Sequence, residues 1–208
     1  MDPDQVGAPL AGVMATLGPN TVFVGDNLAV LRALEPGTAN LIYIDPPFNT
    51  GKPRRRSSLR VTADENGTRR GFGGRRYRAE ALAAMEYEDT HDDYLAFLRP
   101  RLEEARRVLA EDGSLYFHID YREVHYCRIL LDEIFGRDSF LNEIIWAYDY
   151  GGRPKNRWAP KHDNILLYVK DPRRYTFDLD AVERIPYMAP SLVTPEKAAR
   201  GKSPTDTW

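Results

Sequence analysis

The sequence has little cysteine, no long apolar run and no large excess of charge of either sign. The single cysteine, Cys127, excludes an internal disulfide and a cysteine-based metal site, and it fits a reducing compartment. No apolar stretch approaches the length needed to cross a bilayer. The first residues, which include Asp2 and Asp4, lack the basic region of a signal peptide. We therefore expect a cytoplasmic protein that contacts no membrane and binds no metal.

The most informative stretch is a short apolar run, residues 41–44, which ends at Asp45, Pro46, Pro47 and Phe48. Four apolar residues without alternation predict a strand that is buried on both faces of a parallel sheet. In open α/β sheets, ligands bind just beyond the carboxyl ends of such strands. The turn after the run is therefore predicted to be an active site.

The residues of this turn suit a flat amine. Proline has no N–H, so the turn offers carbonyl oxygens, the Asp45 carboxylate and an aromatic ring. Asp45 and the Pro46 carbonyl can accept the two hydrogens of a nucleobase amino group, which stabilises the positive charge that develops when its nitrogen attacks an electrophile. Phe48 can stack on the base, which must first leave the duplex.

The same residues carry a family resemblance. Asp45-Pro46-Pro47-Phe48 after a hydrophobic strand resembles the catalytic motif of the amino-group DNA methyltransferases, which use S-adenosylmethionine to methylate N6 of adenine or N4 of cytosine. The longer stretch 45–51, preceded by residues 25–28, is similar to the permuted subclass that includes the methylation subunits of type III restriction-modification systems. The resemblance implies S-adenosylmethionine as cofactor and double-stranded DNA with a flipped base as substrate. It favours adenine N6, because N4-cytosine enzymes more often have serine where this chain has Asp45.

The pattern around the motif predicts an α/β fold. A strand over 21–24, a helix over about 27–34 and the strand 41–44 form a βαβ unit. The resemblance implies a Rossmann-like class I methyltransferase sheet, mostly parallel with a terminal antiparallel hairpin, and incomplete in this chain. Asp26 is expected either to cap the helix or, with Asn27, to bind the cofactor; one carboxylate can serve both purposes.

Residues 52–86 form a basic insertion directly after the motif. The stretch is rich in arginine and glycine and has little that could be buried, so it is expected to be mobile. Its position favours an arm that closes on DNA phosphates, with contacts from Arg54, Arg55 and Arg56, over a solvated insertion. The glycines at 71–74 are not expected to bind cofactor, because no strand precedes them.

Local signals predict the elements that follow. We expect a helix over about 91–98, a second helix begun by Pro100, and a turn at 112–113 into a strand over 114–119. His118 is expected to be a packed or surface residue of this strand and not a catalytic one. Asp120 is expected to border the pocket or to cap the next helix, which covers about 121–135.

Two strands, 141–146 and 164–169, are too close in sequence for a helix between them and therefore predict an antiparallel hairpin. Their loop, 148–161, mixes basic and aromatic side chains, a pattern that suits phosphate contact and base stacking over a plain exposed turn. The predicted DNA contacts in the loop are Lys155, Asn156, Arg157 and Trp158.

The predicted organisation has three parts: a loose lead-in over 1–18, the catalytic part of a methyltransferase domain over 19–170, and the start of a target-recognition region over 171–208. The family's Phe-x-Gly-x-Gly cofactor loop is absent from the sequence. We therefore expect a catalytic half that is inactive by itself, with a non-catalytic DNA-binding remnant as the alternative. A restriction endonuclease subunit and a second copy of the chain are the further partners that the resemblance implies.

Overall fold

The main sheet contains the predicted catalytic strand. The computed structural model describes residues 22–51, 54–70, 75–87, 89 and 91–208. The sheet has the order β1-β5-β7-β6, formed by β1 (Ala39–Ile44), β5 (Leu109–Ile119), β6 (Phe140–Ala147) and β7 (His162–Val169). β1 and β5 are parallel, and β7 is antiparallel to both β5 and β6. Three of the four strands thus run in one direction, and the predicted α/β class with its terminal antiparallel hairpin is confirmed.

The first helix, α1 (Asn27–Ala33), follows Asp26, whose side chain accepts a hydrogen bond from the Leu28 N–H at 3.0 Å. The predicted helix and its cap are therefore confirmed. The strand predicted over 21–24 was wrong, because residues 22–24 form no strand and residue 21 lies outside the described residues. Val22 and Val24 are apolar but 85% and 91% exposed, and they do not pair with any described strand of the sheet.

β1 was expected to be buried on both faces, and this prediction was wrong. Leu41 and Tyr43 are 62% and 53% exposed. Among the described residues, β1 pairs only with β5, and its other edge contacts no strand. A continuous apolar run therefore identifies the strand correctly, but burial depends on neighbours that the described residues do not supply.

α2 (Tyr94–Val108) is one helix that includes Pro100, where two helices were predicted. Proline removes one helical hydrogen bond and crowds the preceding turn. The packing of the apolar face offsets this cost, since Leu98, Leu102, Ala105 and Val108 are at most 2% exposed. The predicted turn at 112–113 lies inside β5, where the pairing with β1 shifts register between Ala39 and Leu41.

The core lies between β5, β7 and the helices α2 and α3 (Val124–Phe135), and α3 ends at Gly136 as predicted. Leu115 and Phe117 of β5 are fully buried and pair with Tyr168 and Leu166 of β7 on one face of the sheet. The Tyr168 hydroxyl donates to Asp132 of α3 at 2.6 Å. This face of the sheet is thereby fixed to α3.

The other face of β5 carries Tyr116 and His118. Near β6 and β7, a cavity of about 570 Å³ opens between this face and apolar residues of the C-terminal segment, among them Phe177 and Leu179. The end of that segment runs beside β6, where Ile145 N–H donates to the Asp206 carbonyl at 2.8 Å. The segment includes α4 (Pro195–Arg200), and its assignment to a target-recognition region stays a prediction.

The chain divides into two compact units, and the second, Asn49–Tyr94, holds the basic insertion. The insertion was expected to be mobile, whereas the structure shows a three-stranded antiparallel sheet of β2 (Arg54–Ala63), β4 (Arg76–Tyr87) and β3 (Arg69–Arg70). Pairing of the long strands β2 and β4 satisfies their backbone groups. The glycines at 71–74 lie outside the described residues.

Candidate active site

The candidate site begins where β1 ends. Asp45 follows Ile44, the last residue of the strand, and its side chain is 60% exposed. Pro46 and Pro47 are half-buried and continue the chain away from the sheet. An exposed carboxylate at the carboxyl end of a parallel strand is available to an incoming ligand.

A cavity of about 420 Å³ opens beside this turn, in the range of small-molecule sites. Its walls come from the start of α1, the end of β1 and one side of α2. Asp26 and Asn27 line it together with Asp45, Pro46 and Pro47. The structure thus brings the predicted cofactor residues and the predicted catalytic turn to one cavity, although they are about 20 residues apart in sequence. Their assigned roles stay predictions.

Arg101 of α2 holds both predicted cofactor residues and was not identified from the sequence. It pairs with Asp26 Oδ1 at 3.0 Å, and its Nε donates to Asn27 Oδ1 at 3.0 Å. Its guanidinium lies 3.8 Å from the centre of the Phe97 ring. The hydrogen bond from Leu28 N–H and the charge of Arg101 lower the pKa of the Asp26 carboxyl against the opposing effect of its partial burial. Asp26 is therefore both a helix cap and an ionised wall of the cavity.

His118 of β5 is a packed strand residue, as expected, and it lies against the catalytic turn. Its side chain is 7% exposed, and Nδ1 lies 3.4 Å from Asp45 Oδ1. The Phe48 ring meets the imidazole edge-to-face at a centroid distance of 5.2 Å. β1 and β5 are parallel, and Phe117 pairs with Ile44. The next residues, His118 and Asp45, therefore lie close together at the carboxyl ends of the two strands.

Tyr43 and Asp163 complete the polar surroundings of His118. The Tyr43 hydroxyl lies 3.2 Å from Nδ1, and Asp163 Oδ2 lies 3.5 Å from Nε2. Burial, and then the charges of Asp45 and Asp163, raise the pKa of Tyr43, so this hydroxyl keeps its proton. Asp163 lies near the amino end of β7, which runs antiparallel to β5. The start of β7 therefore lies beside the carboxyl end of β5, so residues 45, 118 and 163 come together.

Asp120, at the end of β5, is buried and accepts a hydrogen bond from Arg122 N–H at 2.9 Å. Its backbone carbonyl accepts from the Val124 N–H at the start of α3 at 3.1 Å. Burial raises the pKa of Asp120, partly against the opposing hydrogen bond and charge from Arg122. Asp120 therefore fixes the turn into α3, and it does not line the cavity beside Asp45.

The loop between β6 and β7 presents the second set of predicted DNA contacts. Trp158 is 96% exposed, and Lys155, Asn156 and Arg157 are exposed as well. The loop is held at its base, where Lys161 Nζ donates to the Gly152 carbonyl at 3.3 Å. These side chains are available to a ligand, and contact with DNA stays a prediction.

The first set, Arg54, Arg55 and Arg56, begins β2 in the second compact unit. Their side chains lie outside what the structure describes. Within this unit, the stretch after the motif is closed by Asp89, whose carbonyl accepts from Gly51 N–H at 3.0 Å and whose carboxylate accepts from the Thr50 hydroxyl. Asn49 Oδ1 accepts from His91 N–H at 3.1 Å. The two ends of the unit are thus held together.

Membrane spans and metal clusters are absent from the described residues. None of the helices in this part of the chain is long and apolar enough to span a membrane. No group of three or more His, Cys, Asp or Glu side chains within the same ranges could hold a metal ion.

Sequence relatives are DNA-modifying enzymes. The chain is 31% identical over 156 residues to the type III restriction-modification enzyme EcoP15I Mod subunit of Escherichia coli, which covers 71% of this chain and 23% of the relative. It is 33% identical over 161 residues to the StyLTI Mod subunit of Salmonella typhimurium, at 73% and 24% coverage. The DNA adenine methyltransferase YhdJ of Escherichia coli is 28% identical over 163 residues, with 78% and 45% covered. The chain thus spans about a quarter of the length of the type III relatives.

A solved structure and a family of DNA methylases are similar to this chain as well. The PvuII DNA methyltransferase, described as cytosine-N4-specific, superposes with a TM-score of 0.49 at 13% identity, covering 89% of this chain and 55% of that one. The family description of the N6/N4 DNA methylases matches residues 39–208, which include the catalytic turn, the sheet and the C-terminal segment. The chain therefore belongs to the DNA methylase family.

Proposed function

We propose that this chain carries the catalytic part of an enzyme that transfers a methyl group from S-adenosylmethionine to N6 of an adenine flipped out of double-stranded DNA. The observation that carries the proposal is the Asp45-Pro46-Pro47-Phe48 turn, which lies at the carboxyl end of β1 and beside a cavity in a member of the DNA methylase family. An exposed carboxylate, a backbone carbonyl and an aromatic ring at that point suit an exocyclic amino group.

The turn contributes two hydrogen-bond acceptors to the reaction. The Asp45 carboxylate and the Pro46 carbonyl each accept one N–H of the amino group. As the nitrogen forms its new bond to carbon, its N–H groups become more acidic and its charge more positive, so both hydrogen bonds strengthen in the transition state. Such a contribution lowers the barrier to transfer and affects ground-state binding little.

The cavity fits the cofactor in volume and in the chemistry of its walls. When bound, S-adenosylmethionine supplies an electrophilic methyl group. Asp26 is an ionised acceptor suited to hydroxyl or ammonium groups, and Asn27 adds an amide. Phe97, Leu98 and Leu102 give the cavity an apolar side suited to a purine or a methylene chain. These residues would hold the cofactor in the cavity that Asp45 also lines.

The DNA contacts are assigned to two surfaces. Arg54, Arg55 and Arg56 neutralise backbone phosphates without reading sequence. The loop 148–161 contributes Lys155, Asn156 and Arg157 to the backbone, and Trp158 offers an exposed ring to an unstacked base. Phe48 stacks on the flipped target base.

Adenine is chosen over cytosine because the catalytic turn begins with aspartate, where serine is more frequent in the N4-cytosine enzymes that the motif resembles. A restriction endonuclease subunit is a proposed partner, on the names of the type III relatives. A second copy of the chain is a further proposed partner, which the family resemblance implies.

Product analysis tests the proposal. The complete product of the gene that encodes this chain is incubated with unmethylated DNA and S-adenosylmethionine carrying a labelled methyl group, and the DNA is digested to nucleosides for mass spectrometry. The label is expected in N6-methyladenosine. Label in N4-methylcytosine would overturn the choice of base, and label in 5-methylcytosine would overturn the assignment of an amino acceptor.

A further inference from the structure

His118 has a polar neighbour at each ring nitrogen and almost no contact with solvent. Nδ1 faces Asp45 Oδ1 at 3.4 Å and the Tyr43 hydroxyl at 3.2 Å, and Nε2 faces Asp163 Oδ2 at 3.5 Å. Nε2 is itself buried, and among the described residues nothing meets it in full hydrogen-bond geometry. A carboxylate therefore lies on each side of one buried imidazole.

Aromatic rings fix the plane of this imidazole. Phe48 meets it at 74° with centroids 5.2 Å apart, and Trp146 of β6 lies 5.3 Å away at 47°. The two rings enter from the catalytic turn and from the hairpin. The orientation of His118 is consequently set by packing, so its two nitrogens point at defined partners.

The number of N–H groups on the imidazole decides how many of the two carboxylates can accept a hydrogen bond from it. A neutral imidazole has one N–H and one lone pair, so it can donate to only one of the two carboxylates and turns a lone pair towards the other. A doubly protonated ring has two N–H donors, one for Asp45 and one for Asp163. Water reaches the 60% exposed Asp45 side chain, and Tyr148 donates to Asp163, so neither carboxylate requires a second proton on the ring.

The other described groups that face the ring are neutral or acidic. From β1 comes the Tyr43 hydroxyl, and from the start of the loop after β6 comes Tyr148, whose hydroxyl donates to Asp163 Oδ1 at 3.2 Å. Burial, followed by the effects of Asp163, raises the pKa of Tyr148 to about 12, so it stays neutral. The hairpin strand adds the uncharged Trp146, and Asp120 at the end of β5 adds a third carboxyl near Asp163.

We propose that His118 is a positioning residue that orients Asp45 for the acceptor amine, with an Nδ1–H that faces Asp45 and Asp163 as the neighbour of Nε2 on the far side. Asp45 is otherwise a 60% exposed side chain on a turn and free to rotate. The Nδ1–H holds one carboxylate oxygen, which leaves the other to accept from the base. The inference rests on the proposed function, since it concerns how Asp45 is presented.

Two substitutions of His118 test the roles of its two ring nitrogens separately. The amide nitrogen of asparagine can take the place of Nδ1, and that of glutamine can take the place of Nε2. In the complete gene product, His118→Asn should keep part of the donor to Asp45 and lose about 10-fold or less in kcat. His118→Gln should lose on the order of 100-fold in kcat with KM for DNA and for cofactor nearly unchanged. Equal losses in both variants, or losses confined to KM, would overturn the positioning role.

The design includes controls for folding and for the proposed function itself. His125→Gln, at an exposed site on α3, should behave like the wild type. Asp45→Ala is the benchmark, and the double variant Asp45→Ala/His118→Gln should be no slower than Asp45→Ala alone, because the two residues act as a unit. If Asp45→Ala keeps its activity, the proposed function fails; if only His118→Gln keeps its activity, the positioning role fails alone.

The unsubstituted protein gives an independent readout. Nitrogen-15 NMR of histidine side chains distinguishes a ring with protons on both nitrogens from either neutral tautomer. His118 is assigned by the disappearance of its signal in His118→Asn. We expect the signature of a ring that carries a proton on Nδ1. A ring protonated only at Nε2 would overturn the proposal.

Discussion

At Asp45, the side chain has to be accessible and yet held in place. The strand end provides access, and the contacts of His118 with Tyr43 and Asp163 surround the carboxylate on its inner side. Phe48 contributes to both needs, because its ring edge packs on His118 while the residue remains half-buried. The turn residues that we assign to the substrate, Asp45 and Phe48, are thus supported from behind by His118.

The sequence predicts Asp45 because its surroundings are local: four apolar residues before it and two prolines after it. His118 could not be identified in the same way. Its two carboxylate partners lie 73 positions before it and 45 positions after it, and only the pairing of β5 with β1 and β7 brings them together. Arg101 was missed for the same reason, since its partners Asp26 and Asn27 belong to another helix.

Substitution of Phe48 tests whether its ring serves the base. Phe48→Ala should lower methyl transfer by roughly 10- to 100-fold, as expected when a base–aromatic stack worth about 1–3 kcal/mol is removed. Phe48→Asp should be worse, because it places a carboxylate against the base, and Phe48→Tyr should retain most activity as the matched control. Equal reductions for alanine and aspartate in steady-state kinetics would instead make Phe48 a packing residue for His118.

The stability of Asp120 variants should depend on pH. Burial raises the folded-state pKa of Asp120 above its ordinary value of 3.8. Its favourable contribution to folding is therefore fully present below that value and is lost as pH rises through the raised pKa. Asp120→Asn keeps an oxygen to accept from Arg122 N–H and has no charge to bury.

We thus expect that the Asn variant gains stability relative to the wild type as pH rises across this window, as measured by urea unfolding at a series of pH values. Asp178→Asn, at an exposed site, should show no such trend. A relative stability of Asp120→Asn that falls with rising pH would mean that the pairing with Arg122 outweighs burial.

At the scale of elements, regular local signals were predicted well. α3, its end at Gly136, and the β6–β7 hairpin all follow from short-range patterns. The misassignments arose where tertiary packing outweighs local preference. α2 continues through Pro100 because its apolar face is buried, and the arginine-rich insertion forms strands because β2 and β4 pair along ten residue positions.

The sheet in the insertion gives the arginines of β2 a defined backbone. Replacing Arg54, Arg55 and Arg56 together with alanine should reduce the slope of log affinity against log salt by about 2.7, because each phosphate that is no longer neutralised accounts for about 0.9. The preferred DNA site should not change. Binding is measured by fluorescence anisotropy on specific and nonspecific duplexes over a range of salt concentrations.

The control for this experiment is a chain with Arg137 and Arg173 replaced, which are 88% and 87% exposed in the other compact unit. That variant should keep the wild-type slope. A slope unchanged by the triple replacement would show that the insertion does not neutralise DNA phosphates.

At the scale of the whole molecule, the main sheet has an apolar edge. β1 has no partner on one side among the described residues, and Leu41 and Tyr43 are exposed along it. Val22, Phe23 and Val24 add three exposed apolar side chains before α1. An open, apolar strand edge is a template for pairing with another chain.

We therefore expect the 208-residue chain to associate in a concentration-dependent manner. Leu41→Lys should reduce this association, because a charge on an edge strand opposes pairing. Leu192→Lys is the matched control, since Leu192 is 83% exposed but lies on no strand. Sedimentation velocity at several concentrations measures the effect; equal behaviour of the two variants would show that the edge of β1 is not the site of association.

The central claim is that Asp45 acts in methyl transfer to an amino group. The most direct measurement compares the wild type with Asp45→Ala in the complete gene product, recording kcat for labelled methyl transfer to DNA and the Kd of S-adenosylmethionine by calorimetry. We predict a reduction of at least about 100-fold in kcat with Kd changed less than about threefold, because the acceptor that is removed acts mainly in the transition state. Turnover close to that of the wild type would contradict the account.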